Sequence, residues 1–161
     1  GQGVSFASWA SRIPDIKHYL QLSDAALGSI LLCLPLGQLC TMPVSATLVT
    51  KYGSKKLLTI AAPLYVVALT ILGLAAAPWQ LAAAVFLFGV IGNMANIAVN
   101  TQGVETEKLY NKPINTSFHG AWSIAGFTGA LIGLLMINLH VKPYLHFIII
   151  ALLSWTNIFI N

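Results

Sequence analysis

Three asparagines recur along one segment of the chain, and their spacing places them on one side of a helix. Asn93, Asn96 and Asn100 stand at positions i, i+3 and i+7, which at about 100° per residue lie within about 60° of one another. The residues between them are apolar, and apolar surroundings satisfy neither the donors nor the acceptor of an amide. Two interpretations stay open: the amides line a water-filled binding site, or they form a structural hydrogen-bond ladder between helices.

A second polar group follows further along the chain. His119, Trp122 and Ser123 occupy about 120° of a helical arc, and they combine a titratable ring, a broad aromatic face and a hydroxyl. Such a surface suits recognition of a small polar solute. The alternative is that Trp122 packs inside a bundle and His119 is a satisfied internal histidine.

Near the start of the chain, Trp9 and Arg12 share one helical face, with Asp15 a turn further on. An arginine inside an apolar helix is costly unless it pairs or meets water. Arg12 is therefore a ligand contact, an outer gate paired with Asp15, or a charge that already lies at the level of the lipid headgroups.

Signatures of enzymes and metal sites are absent from the residues. The chain contains no Walker A sequence, no G-x-S-x-G and no H-E-x-x-H. Its His, Cys, Asp and Glu residues have no metal-ligand spacing, and His140 and His146, which flank a helix start, are interpreted as interfacial. We expect neither an enzyme nor a metal or other cofactor.

Composition indicates where these residues lie. The chain is 57% hydrophobic and 7% charged, whereas a soluble domain is about 25% charged. The eight basic residues form no dense patch, which argues against nucleic acid as a partner. The excess apolar surface must face lipid.

Long uncharged stretches set the number of helices. They contain 26, 48, 29 and 19 residues, and one membrane crossing takes about 20. The 48-residue stretch is broken by Ala-Pro-Trp-Gln at 77–80, which divides it into two helices. These stretches give five helices, and the apolar residues that open the chain predict an incomplete sixth before them. We predict an all-α, polytopic membrane helix bundle with helices at 1–19 (truncated), 24–49, 57–77, 79–103, 113–139 and 144–161.

The distribution of basic residues predicts the orientation of these helices. One side of the membrane holds five of them and the other side three, and the richer side is normally cytoplasmic. The five are Lys51, Lys55, Lys56, Lys108 and Lys112; the three are Arg12, Lys17 and Lys142.

The connection between the second and third helices resembles the signature loop of the major facilitator superfamily, a Gly-Asp-Gly pattern followed by basic residues. Gly53 fits that pattern, as do the basic residues around it, Lys51, Lys55 and Lys56. Ala46 and Thr50 stand where the family has its first Gly and its Asp. Segments 7–17, 34–37 and 119–123 are similar to a bacterial branch of sugar-permease-like, fucose-permease-like transporters.

The resemblance implies the N-terminal six-helix half of a secondary active transporter in the bacterial inner membrane, with helix 1 truncated and the C-terminal half absent. Such a permease moves a small polar solute, here a sugar, by alternating access, and a coupling proton is a further expected partner. The proton-coupled fucose permeases carry an acid on helix 4 where Asn96 stands. The inverted three-plus-three helix repeat that the family implies is not apparent in the residues.

Together these arguments predict a binding site and a gating loop. The expected substrate-binding residues are Trp9, Arg12, Asn93, Asn96, Asn100, His119, Trp122 and Ser123. The expected gating loop comprises Lys51, Gly53, Lys55 and Lys56. The alternative function is a non-transporting membrane assembly or receptor protein that retains the bundle.

Overall fold

A computed structural model describes residues 2–110 and 115–160 of the chain, and these residues form helices without a strand. The helices are α1 (Gln2–Tyr19), α2 (Asp24–Tyr52), α3 (Ser54–Leu74), α4 (Pro78–Tyr110), α5 (Asn115–Asn138) and α6 (Pro143–Ile160). The predicted all-α fold is confirmed.

Several of these helices can cross a membrane. By length and composition, α2, α3, the Pro78–Leu109 part of α4 and the His119–Asn138 part of α5 are long and apolar enough to do so. Pro143–Thr156 of α6 is a shorter apolar helix. The chain is therefore a multi-pass membrane protein by the character of its helices.

Local chemistry explains the ends of α2. The Ser23 side chain accepts a hydrogen bond from the backbone N–H of Ala26, which caps the first turn. At the other end, Gly53 has φ of +83° and donates its N–H to the carbonyl of Val49. A residue with a side chain rarely adopts that φ, so glycine permits the one-residue connection between α2 and α3.

Four predicted helix limits differ from the structure by three residues or more. Helix α3 ends at Leu74 rather than at 77. The other three differ for a common reason: α4 continues to Tyr110 rather than ending at 103, α2 continues to Tyr52 rather than ending at 49, and α3 begins at Ser54 rather than at 57. The predictions stopped each helix at the edge of its apolar stretch. Charged Lys and Glu residues end the membrane-buried part of a helix but are good helix formers, so the helix itself continues. The predicted start of helix 5 at 113 and Lys112 lie outside the described residues.

Helix pairing is extensive between α2 and α4, between α3 and α4, and between α1 and α5. Helix α6 packs against α3 and α1. The first three helices correspond to the last three, α1 to α4, α2 to α5 and α3 to α6. Under this correspondence the α2–α4 pair matches the α5–α1 pair, and the α3–α4 pair matches the α6–α1 pair. The principal contacts therefore follow a three-plus-three repeat that the residues did not reveal.

Glycines permit the closest helix pairs. A Cβ atom on Gly37 of α2 would overlap the backbone of Phe86, and one on Gly89 of α4 would overlap the backbone of Leu34. Across the α1–α5 pair, a Cβ atom on Gly129 would lie 2.8 Å from the carbonyl oxygen of Val4. These two helix pairs thus depend on small residues that let backbones approach.

The interior of the bundle is aromatic where α1, α3 and α4 meet. The Trp9 ring lies 5.8 Å from the ring of Phe88, which stacks on Tyr65 at a centroid separation of 4.3 Å. All three side chains are buried. By contrast, α2 and α5 leave most of their apolar side chains exposed, so one side of the bundle stays uncovered.

Candidate functional site

The asparagine stripe on α4 divides into two parts. Asn93 is half-buried and its Nδ2 donates to the Oγ of Ser45 on α2 at 3.4 Å, a long hydrogen bond. Asn96 and Asn100 are exposed, and the Nδ2 of Asn100 lies 3.4 Å from the Oδ1 of Asn96. The first amide therefore joins two helices, while the other two retain free hydrogen-bonding capacity.

The polar group on α5 is exposed as well. His119, Trp122 and Ser123 are all exposed, and 46% of the Trp122 surface is accessible. The Ser123 hydroxyl donates to the backbone carbonyl of His119 at 3.1 Å, so the hydroxyl oxygen can still accept. An aromatic face and a titratable ring thus lie on a helix side that no other helix of the described bundle covers.

The first turn of α1 connects the two polar groups. The Nε2 of Gln2 donates to the carbonyl of Gly92, the residue before Asn93, at 3.3 Å. A Cβ atom on the next residue, Gly3, would lie 3.1 Å from the carbonyl oxygen of Trp122. Two consecutive residues of α1 therefore touch α4 and α5 beside the two stripes, which places Asn93 and Trp122 close to the same level of the bundle.

Gln2 was missed by sequence reasoning. It stands at the start of an apolar segment with no periodic polar neighbour, and its partner is a backbone carbonyl 90 positions away. A side chain whose partner is a main-chain atom leaves no pattern of residue types. Only the packing of α1 against α4 identifies it.

Trp9 and Arg12 lie inside the bundle, apart from the exposed polar residues. Trp9 is 4% exposed and packs between Phe6 and Phe88. Arg12 is 2% exposed, and its Nη1 donates to the Oδ2 of Asp15 at 2.6 Å. Of the three interpretations of Arg12, the described geometry matches the one that pairs it with Asp15.

Arg12 has two further partners, on α6 and on the connection that precedes it. Its Nη2 donates to the carbonyl of Val141 at 2.8 Å, and its Nε donates to the Nδ1 of His146 on α6 at 3.1 Å. His146 is fully buried within the bundle, whereas a position at the membrane interface would have left its ring open to water. The hydrophobic residues that follow it made the start of α6 resemble a membrane edge, whereas packing against α1 and α3 encloses the ring.

The basic loop is compact. The Nζ atoms of Lys51 and Lys56 lie 5.2 and 5.4 Å from the ring centre of Tyr52, within the range of cation–π interactions. Gly53 makes the turn between them, and Lys55 is exposed.

A hydrogen bond closes the loop on α4. The Ser54 hydroxyl donates to the Oε2 of Glu105 at 2.9 Å. This carboxylate on the polar extension of α4 therefore meets the first turn of α3, where a negative charge is favoured by the helix dipole. Thr50, at the family's acidic position, instead donates to the carbonyls of Ala46 and Thr47 in its own helix.

The site is an open face and shows no cluster of metal ligands. Within residues 2–110 and 115–160, no three His, Cys, Asp or Glu side chains lie close enough to hold a metal ion. A groove of about 400 Å³ lies between α3 and α4, but its lining includes Trp79, Gln80 and apolar side chains and none of the polar stripe residues. The described geometry suits a surface that another element covers.

Comparison with known proteins agrees with this architecture. The chain is 33% identical over 149 residues to an uncharacterized transporter of Sinorhizobium fredii. The aligned region covers 92% of the chain and 40% of that relative. It is 33% identical over 128 residues to an uncharacterized MFS-type transporter of Yersinia pestis, covering 80% of the chain and 33% of the relative. It is also 28% identical over 133 residues to the membrane protein MosC of Rhizobium meliloti, and this alignment covers 83% of the chain and 32% of the relative.

These relatives are longer proteins. The chain spans 40% of the length of the Sinorhizobium relative and 33% of the Yersinia relative. No solved structure matches the chain. The family model of the Major Facilitator Superfamily matches residues 2–160, and the six-helix bundle with its exposed polar face therefore belongs to the Major Facilitator Superfamily.

Proposed function

We propose that the full-length protein containing this bundle is a secondary active permease that moves a small polar solute, a sugar, across the bacterial inner membrane by alternating access. The bundle supplies its N-terminal six-helix half. The observation that carries the proposal is the exposed polar face, formed by Asn96 and Asn100 on α4 and by His119, Trp122 and Ser123 on α5.

The chemistry of this face suits a hydroxylated solute. Amides both donate and accept hydrogen bonds, as sugar hydroxyl groups do, and an indole face can cover the apolar side of a sugar ring. Lipid would leave each amide unpaired, so these side chains favour contact with water or with a polar solute.

Asn93, Trp9 and Arg12 take supporting roles in this proposal. Asn93 holds α4 against α2 through Ser45. Trp9 and Arg12 pack α1 against its neighbours and so fix the helix whose first turn touches both stripes. A second six-helix half, supplied by the longer protein, closes the exposed face and forms the cavity.

Uptake by the full-length protein in proteoliposomes tests the proposal. A panel of neutral monosaccharides should contain at least one that is accumulated. Asn96→Leu and Asn100→Leu should each weaken its binding by about 1–3 kcal/mol, because each leaves a solute hydroxyl unpaired. Ile97→Leu, on the same helix, is the matched control and should change binding little. Equal tolerance at the three positions would contradict the proposed lining.

One observation favours the alternative of a non-transporting membrane assembly or receptor protein. Thr50, which stands at the acidic position of the family's loop, has a neutral hydroxyl that bonds within its own helix, so the loop has no charge there. Under this alternative, the monosaccharides would bind without accumulation in the vesicles, or would not bind. Accumulation above the external concentration excludes it.

A further inference from the structure

A buried polar cluster joins α1 to α6, apart from the exposed face. Arg12 is 2% exposed and His146 is fully buried, although they belong to helices far apart in the chain. Asp15, which pairs with Arg12 at 2.6 Å, keeps 38% of its side chain exposed. The carbonyl of Val141 accepts from the same guanidinium. One side chain of α1 thus binds α6 and the connection that precedes it.

The hydrogen bond from Arg12 fixes the protonation of His146. An arginine guanidinium donates and cannot accept. Because the Nε of Arg12 donates to the Nδ1 of His146, Nδ1 carries no proton and the imidazole is neutral, with its hydrogen on Nε2. That Nε2 is buried and has no hydrogen-bond partner in the described part of the chain.

The imidazole lies where three helices meet. Its Cε1 atom is 3.8 Å from the position of a Cβ atom on Gly133 of α5, and Ser11 of α1 touches that same position. The adjacent Phe147 packs against Gly73 of α3. A change in the charge of His146 would therefore alter its packing against α1 and α5, and through Phe147 the packing against α3.

A second proton on His146 is incompatible with this arrangement. It would occupy Nδ1, displace the hydrogen bond from Arg12 and place a positive ring beside a positive guanidinium. Of the charged groups in the described residues, those bonded into this cluster are Arg12 and Asp15, whose charges already cancel. Repulsion in a buried site is costly, so protonation must accompany movement of Arg12.

Other ionisable side chains on the surrounding elements do not take part in these hydrogen bonds. They are Lys17, His18 and Tyr19 on α1, Lys55, Lys56 and Tyr65 on α3, His119 on α5, Tyr144 on α6, and His140 and Lys142 before α6. A released guanidinium has an acceptor one turn away, the buried hydroxyl of Ser8, which has no partner within the described ranges.

We propose that His146 is a proton-binding site whose occupancy is coupled to the contact between α1 and α6. Protonation stabilises a conformer in which Arg12 has left the imidazole. Raising the pH removes that proton and favours the conformer described above. The site is separate from the face offered to the solute.

Distance measurement between spin labels in the full-length protein tests the coupling. Labels at Tyr19→Cys on α1 and Leu145→Cys on α6, both exposed positions, report the separation of the two helices. The variant protein, with its other cysteines replaced, is placed in nanodiscs without solute and titrated from about pH 8 down to about pH 4. This range extends below the one in which an unperturbed histidine changes charge, because burial beside a guanidinium opposes protonation. We expect the label separation to change with pH.

His146→Gln should abolish this change. Glutamine can accept from Arg12 through its amide oxygen but does not titrate. His140→Gln, which removes an exposed histidine outside the cluster, is the matched control and should keep the transition. A transition that persists in His146→Gln, or its absence from the protein with both histidines intact, would overturn the proposal.

A second measurement needs no substitution at the site. Nitrogen NMR of ¹⁵N-histidine-labelled protein should find His146 neutral, with its proton on Nε2, at the pH where the spin labels report the high-pH separation. A doubly protonated His146 in the high-pH label geometry would overturn the inference. Because neither test uses a solute, failed monosaccharide uptake would contradict the proposed function and leave the proton site standing.

Discussion

Residues of one type serve different purposes along the same stripe of α4. Asn93 donates to Ser45, a fully buried hydroxyl of α2, whereas Asn96 and Asn100 remain exposed. Both interpretations of the stripe therefore apply, the structural one to Asn93 and the binding one, as a proposal, to the other two. The helical position of each amide followed from its spacing, but its partner did not.

A double-mutant cycle at Asn93→Ala and Ser45→Ala should give a coupling free energy of about 0.6 kcal/mol, the average for a polar pair between membrane helices. The 3.4 Å separation argues against a larger value. Detergent-induced unfolding of the full-length protein in mixed micelles measures it. The pair Asn96→Ala and Asn100→Ala is the control, since both are exposed, and its coupling should be smaller. A larger coupling between Asn96 and Asn100 than between Asn93 and Ser45 would contradict the structural role assigned to Asn93.

The partners of Arg12 show what the sequence could not predict for single residues. Spacing placed Trp9 and Arg12 on one face of α1, and the ion pair of Arg12 with Asp15 was among the alternatives. The partners from α6 and its preceding connection, His146 and Val141, lie 134 and 129 positions from Arg12. Periodicity reports which face of a helix a residue occupies, but the identity of the facing helix depends on tertiary packing.

Helices are the scale at which the sequence was most informative. Uncharged stretches and the break at 77–80 placed five of the six, because a membrane span needs a minimum apolar length. Their ends were less well predicted, as at Tyr110 of α4. The α2–α4 pair depends on backbone contact at Gly37 and Gly89. The sequence alone does not show whether another backbone packs against a glycine.

Gly37→Ala should destabilise the bundle, because the added Cβ would overlap the backbone of Phe86 on α4. Overpacking of this kind costs about 1–3 kcal/mol. Gly126→Ala is the control, since a Cβ there meets nothing within 4 Å, and the better helix propensity of alanine should leave stability equal or higher. Thermal unfolding of the full-length protein compares the two. Equal loss in both variants would mean that the α2–α4 contact is looser than described.

Glu105 should stabilise the junction of α3 with α4 through its bond to Ser54. Glu105→Ala should cost about 1 kcal/mol, because one hydrogen bond and a favourable charge near a helix N-terminus are lost. Ser54→Ala should cost a similar amount, and the double variant should cost little more than either one. Thermal unfolding measures all three. Additive losses would show that the two side chains act independently.

The whole bundle repeats its helix pairs when its first three helices are exchanged with its last three. Short connections make successive helices antiparallel, so α1 and α4 run in opposite directions, as expected for an inverted repeat. The residues of the two halves did not reveal this relation. Packing depends on the shapes of helix faces, which different residues can supply, so the repeat can persist after the side chains have diverged.

The orientation of the whole molecule follows from its basic residues, five on one side against three on the other. Labelling single cysteines in intact cells with a membrane-impermeant maleimide tests it, with Cys33 and Cys40 replaced by serine in the full-length protein. Tyr52→Cys suits the inner side, because Tyr52 is 48% exposed whereas the neighbouring Ser54 is buried. It also keeps all five basic residues, which a change at Lys55 would not. Leu139→Cys, at a position 62% exposed, reports the outer side.

We expect Leu139→Cys to react in intact cells and Tyr52→Cys to react only after the membrane is permeabilised. The opposite pattern would place the basic loop outside, and the charge count would then have failed to set the topology. That result would leave the helix pairs unchanged, because they depend on contacts within the bundle. It would reverse the side from which the proposed proton at His146 enters, since that residue lies near the end of the bundle that includes Leu139 and Val141.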